Sequence, residues 1–142
     1  CGSKDVAVSV PARGSVTIDL PAVVADADDP ASEVVVVEAL GTRGLRFFAE
    51  PRDSALAPPA VDVSVAATDA GFDVSVTART LVRDLTLLID KVDPSARVDR
   101  GLVTLLPGES ATFRVTGVGS LDVGGGCAPG ILLCGNELMN PT

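Results

Sequence analysis

The sequence predicts an all-β chain folded as an antiparallel β-sandwich. Three observations predict it. Apolar and polar side chains alternate with period two in segment after segment. Turn residues interrupt them at the roughly 8–12-residue spacing of sandwich folds. No stretch repeats its apolar residues at 3.6 over a helix of useful length.

The elements follow in order. Asp5–Val10 alternates Asp-Val-Ala-Val-Ser-Val and reads as a strand. Pro11 to Gly14 breaks it. Ser15–Leu20 alternates again, with Val16, Ile18 and Leu20 on one face. Asp26 to Pro30 is a loop. Val34 to Val37 is a β-branched run suited to a strand covered on both faces. Gly41-Thr42-Arg43-Gly44 reads as the turn of a hairpin over 33–50, with Phe47 and Phe48 on opposite faces of its second strand. Pro51 to Pro59 holds three prolines and no alternation, which marks an extended linker.

A second strand series begins at Val61. Val61, Val63 and Val65 alternate with Asp62 and Ser64. After Asp69-Ala70-Gly71, Phe72, Val74 and Val76 alternate with Asp73, Ser75 and Thr77. Leu81–Ile89 is the ambiguous segment, and its Thr and Asp content favours strand. Asp90 to Arg100 is a polar excursion. Gly101–Leu106 and Ala111–Val115 are strands around the turn Pro107 to Ser110, with Phe113 and Val115 inward. Residues 119–142 form a Gly- and Pro-rich tail. The domains are then 1–50, a linker at 51–59, a sandwich at 60–118 and the tail.

Composition excludes several functions. Of 142 residues, 46% are hydrophobic, enough for a packed core. Eleven Lys and Arg against nineteen Asp and Glu leave a net charge of −8. Neither nucleic acid nor an anionic membrane is expected as a partner, because both need a basic face. The chain has no His, so Ser-His-Asp and Cys-His catalysis are excluded and the commonest metal ligand is missing. No Trp or Tyr is present to stack on a sugar. No run approaches the ~20 apolar residues of a membrane span. The first residue is Cys, and Cys1-Gly2-Ser3 matches the mature start of a lipid-anchored protein. No leader pattern accompanies it, so a cytoplasmic location is expected, with a secreted or Cys1-anchored one as the alternative.

Three sets of residues carry a closer resemblance. They are Arg46-Phe47-Phe48-Ala49-Glu50-Pro51, then Val82-Arg83-Asp84-Leu85-Thr86-Leu87-Leu88-Ile89-Asp90, then Val103-Thr104-Leu105-Leu106-Pro107-Gly108-Glu109-Ser110 with Phe113. In this order and spacing they resemble the C-terminal region of family 2 glycoside hydrolases of the β-mannosidase type, over roughly half of the chain. The resemblance implies an immunoglobulin-like sandwich, preceded by the last strands of another sandwich in residues 1–50. It also implies a parent enzyme that removes terminal β-linked mannose with retention, using two Glu side chains in a (β/α)₈ barrel. Nothing here alternates strands with amphipathic helices, so the barrel would lie upstream. The chain is then expected to be a non-catalytic accessory region without cofactor or metal. Its expected partners are the catalytic barrel of the same parent chain and, through the incomplete N-terminal sheet, a second copy in a homodimer. That sheet is alternatively borrowed by the second sandwich. The rival function is a stand-alone carbohydrate-binding or cell-surface module.

Four groups of residues invite a chemical role. Gly135-Asn136-Glu137 is similar to the Asn-Glu pair that carries the acid/base in this hydrolase clan, but Glu137 lies in the tail, away from any rigid barrel. Its match is read as coincidence. Asp26, Asp28, Asp29 and Glu33 carry oxygens of the kind Ca²⁺ takes, yet lack EF-hand spacing, so an Asx-turn is expected. Asp84, Asp90, Asp93 and Asp99 intersperse with Arg83, Lys91, Arg97 and Arg100, which predicts a solvated, ion-paired rim. Cys127 and Cys134 are expected as a reduced pair, with a disulfide closing a short loop as the alternative if the chain is secreted, and no His is present to activate either thiol.

Overall fold

The computed structural model describes residues 2–118 and 130–139. The tail expected over 119–142 therefore lies partly outside the described residues, as do Cys1 and Cys127. Among the described residues the chain is mostly antiparallel β-strand, with two short helices. It divides into two units, Cys1–Ala55 and Leu56–Thr142. No helix among the described residues is long and apolar enough to cross a membrane.

In the first unit, strands β1 (Val34–Ala39) and β2 (Thr42–Phe47) form a two-stranded antiparallel sheet. Its turn is Leu40-Gly41, one residue earlier than the sequence suggested. Both residues have positive φ, 51° and 75°, as a two-residue turn of the right twist requires. Gly adopts this conformation freely and Leu does not. The valine run is not covered on both faces: Val35 is buried, but Val37 is 46% exposed. A lone pair of strands has no layers to cover two faces. Phe47 and Phe48 are both half-buried. A single helical turn, α1 (Ala22–Ala25), precedes the sheet.

The strands expected at Asp5–Val10 and Ser15–Leu20 are absent. Both segments lie outside every sheet. The Gly14 N–H donates to the Pro11 carbonyl at 2.9 Å and turns the chain between them. The chain then returns until Gly2 abuts Val23, whose carbonyl a Cβ on Gly2 would approach to 2.6 Å. Alternation makes a segment able to enter a sheet, but a strand exists only where a second strand completes its hydrogen bonds.

The second unit holds two sheets. Strands β3 (Val61–Thr68), β4 (Gly71–Ala78), β8 (Ser110–Thr116) and β6 (Arg97–Val98) form one, in the order β3-β4-β8-β6. Strands β7 (Val103–Leu105), β5 (Val82–Leu87) and β9 (Leu132–Leu133) form the other, in the order β7-β5-β9. The ambiguous segment is thus a strand. The polar excursion contains β6, and the tail contributes β9 and a short helix, α2 (Gly135–Met139). The linker is partly structured, with a 3-10 turn over Pro51–Asp53 and a buried Leu56.

Alternation decides which side chains enter the core. Val74, Val76, Phe113 and Val115 come from the first sheet, and Val82, Leu85, Leu87 and Leu105 from the second. They form one buried cluster with Ile89, Ala96 and Cys134. Fully burying each such side chain contributes about 1.5–3 kcal/mol.

Candidate functional site

The densest polar construction among the described residues follows β9. Cys134 caps α2, and Glu137 is the third helical residue. One Glu137 carboxylate oxygen (Oε2) accepts the Cys134 backbone N–H at 3.1 Å, and the Glu137 N–H donates to the Cys134 carbonyl at 3.3 Å. This is the acidic half of a capping box, in which a carboxylate satisfies an orphan amide at a helix start.

Asn136 is fully buried between these two residues. Its Oδ1 accepts the Arg83 N–H at 2.9 Å. Its Nδ2 donates to the carbonyls of Leu81 and Ala57, at 2.8 and 2.9 Å. One amide thus joins the start of β5, the residue leading into it and the chain before β3. Its two donors and one acceptor meet two carbonyls and one N–H, as an amide's chemistry requires. Glu137 stood out in the sequence, whereas Asn136 makes the long-range contacts. Its signal was a polar residue just after the apolar run Ile131 to Cys134.

This arrangement does not support acid/base chemistry at Glu137. A retaining glycosidase needs two carboxyl groups about 5–5.5 Å apart on a rigid frame. The Glu137 carboxylate here caps a five-residue helix and is itself exposed. Cys134 lies beside it, with Sγ 3.9 Å from Oε2. Burial pushes the Cys134 thiol pKa up, and backbone N–H groups only partly oppose this. Such a thiol stays protonated and unreactive near neutrality. Its expected companion Cys127 lies outside the described residues.

The other candidates separate in space. In the 26–33 loop, the Asp29 N–H donates to Glu33 Oε1 at 3.1 Å, while Asp29 accepts from the Ala31 N–H and the Ser32 hydroxyl. These are turn contacts, and no cluster of metal-binding side chains occurs among the described residues.

The charged rim dissolves into local pairs. Arg83 Nε lies 3.4 Å from Asp84, and Arg100 reaches Asp99 at 2.9 Å. Lys91 donates to the Gly130 carbonyl, and Arg97 to the carbonyls of Pro94 and Ala96. Asp90 is exposed. Asp93 accepts the hydroxyl and the N–H of Ser95, which hold its carboxyl below the usual range. Asp99 accepts the Arg114 N–H at 2.9 Å, and this bond with the Arg100 guanidinium lowers its pKa.

Asp84 also marks a bulge. The register passes from Val82↔Leu105 to Leu85↔Val103, so two residues of β5 oppose Thr104. Asp84 takes φ 54°, and its N–H donates to the Thr104 hydroxyl. The extra residue therefore keeps a hydrogen-bond partner.

Among the described residues, a hollow lies at the tip of the β1–β2 hairpin. It has a volume of about 330 Å³ and is lined by Glu38 to Arg43. Without aromatic walls or converging polar groups it does not resemble a sugar site. No protein-family model matches the chain, and no curated protein matches it.

Proposed function

We propose that the chain is a non-catalytic accessory region of a β-mannosidase-like retaining glycoside hydrolase. In this reading residues 60–118 form an immunoglobulin-like sandwich that packs beside the catalytic barrel of the same parent chain and supports it. Residues 1–50 are the terminal strands of a preceding sandwich.

The supporting observation is where the resembling residues lie in the second unit. Val82, Leu85, Leu87 and Ile89 from one set share a buried cluster with Leu105 and Phe113 from the other. The Pro107-Gly108-Glu109 turn is bonded at each step. The Gly108 N–H donates to the Ala78 carbonyl at 2.7 Å, the Ala78 N–H donates to the Glu109 carbonyl, and Glu109 Oε2 accepts the Leu106 N–H. Gly108 takes φ 88° there, which favours glycine. The motifs therefore act as structural joints. That agrees with an accessory role, as does Glu137 spent on a helix cap.

The test is hydrolysis of a nitrophenyl β-mannoside by the purified chain, beside binding of the chain to mannan. The proposal expects neither. Nitrophenol release that Glu137→Gln abolishes would overturn the non-catalytic reading. Binding to mannan would replace it with a carbohydrate-binding module.

A further inference from the structure

Two parts of the molecule are ready for pairing and unpaired. The first is Asp5–Val10. Among the described residues none of its backbone groups joins a sheet, yet Val6, Val8 and Val10 alternate and are 46–55% exposed. The second is the outer edge of β3. Among the described residues this strand ends its sheet and pairs with β4 alone, without a register break from Val61↔Ala78 to Thr68↔Gly71. Natural edge strands are usually short, bulged, or guarded by Lys or Pro. β3 has eight residues, no bulge, no Lys and no Pro. Its one charge, Asp62, is already forked by Arg79 at 2.6 Å.

The geometry points to strand addition between copies: Asp5–Val10 of one chain extends the β3 edge of a second. An antiparallel register that sets Val6, Val8 and Val10 opposite Val65, Val63 and Val61 gives three β-branched cross-strand pairs. Those β3 valines pack against the core cluster of their own unit, so the added valines extend the same apolar layer. Ser9 then faces Asp62, Asp5 faces Ala66, and Lys4 falls diagonal to Asp69. No like charges meet. The other alternating segment fits less well, because setting Val16, Ile18 and Leu20 on the same valines brings Asp19 against Asp62. The occupant is thus selected by charge as well as by pattern. This inference does not depend on the function proposed above.

The experiment is sedimentation velocity of the whole chain over a concentration series, with amide hydrogen exchange at both ends of that series. The expected result is reversible association, with protection of Asp5–Val10 and Val61–Thr68 rising together. Val8→Lys on the arm weakens association about tenfold or more, and Ala67→Lys on the exposed edge, which sets a second lysine against Lys4, weakens it several-fold. Ser15→Lys, outside the pairing, does not. Each substitution moves the net charge from −8 toward zero, so charge alone would strengthen association. A monomer at every concentration overturns the inference, as does association that ignores Val8→Lys and Ala67→Lys. Unchanged far-ultraviolet circular dichroism of the variants separates lost pairing from lost folding.

Discussion

Replacing Asn136 by Ala removes a buried amide that holds three separate backbone groups. The Arg83 N–H and the carbonyls of Leu81 and Ala57 lose their partner together. Ala57 is exposed, so water recovers its carbonyl. Two groups remain, each costing about 1–3 kcal/mol when left unsatisfied in the interior. The expected loss is therefore about 2–6 kcal/mol. A unit of this size has a total stability of about 4–13 kcal/mol, and each kcal/mol shifts Tm by about 4–8 °C. Asn136→Ala is expected to lower Tm by roughly 10 °C or more, read by urea and thermal unfolding with far-ultraviolet circular dichroism. Glu137→Gln, which alters only the cap, is expected to cost no more than about 1 kcal/mol. Asn136→Asp sets a carboxylate against two carbonyls. Its folded pKa is raised, so its deficit relative to Ala shrinks as pH falls. Equal, small losses for Asn136→Ala and Glu137→Gln would refute the reasoning.

Other consequences follow from single residues. Leu40 is 105% exposed and holds φ 51°, so Leu40→Asn relieves backbone strain without losing packing and is expected to stabilise the hairpin by about 0.5–1 kcal/mol in chemical denaturation. Cys134 is buried with a raised thiol pKa, so mass spectrometry is expected to find it alkylated in denaturant and spared in the native chain. The pKa values of Asp62, Asp93 and Asp99 are lowered in the folded state. Their contribution is present above the usual carboxylate pKa and is lost as pH falls through the folded values. Urea midpoints are therefore expected to decline on acidification through that range, and Asp99→Asn is expected to flatten the decline.

The sequence made the 61–78 hairpin legible because its information is local. Val61, Val63, Val65, Val74 and Val76 alternate, and a turn lies between the two runs. The same rule misjudged Asp5–Val10 and Ser15–Leu20, whose alternation is as regular. Pairing is non-local, and these segments find no partner among the described residues. Strand β9 and helix α2 escaped for the opposite reason. Two residues and five residues are too short for any period, and both are held by contacts with β5. In the site, Glu137 drew notice through its neighbours in sequence. Its role as a cap is set by its distance of three residues from Cys134. Asn136 was legible only as a polar residue out of place, since its partners lie 53, 55 and 79 residues away.

The central claim is that this chain is one region of a larger hydrolase. The most direct test is the size of the native polypeptide in the cells that make it, detected on a denaturing gel with an antibody raised against residues 56–142. The account predicts a band far above 14.3 kDa, large enough to contain a catalytic barrel. A single band at that mass would contradict it, because the chain would then act alone.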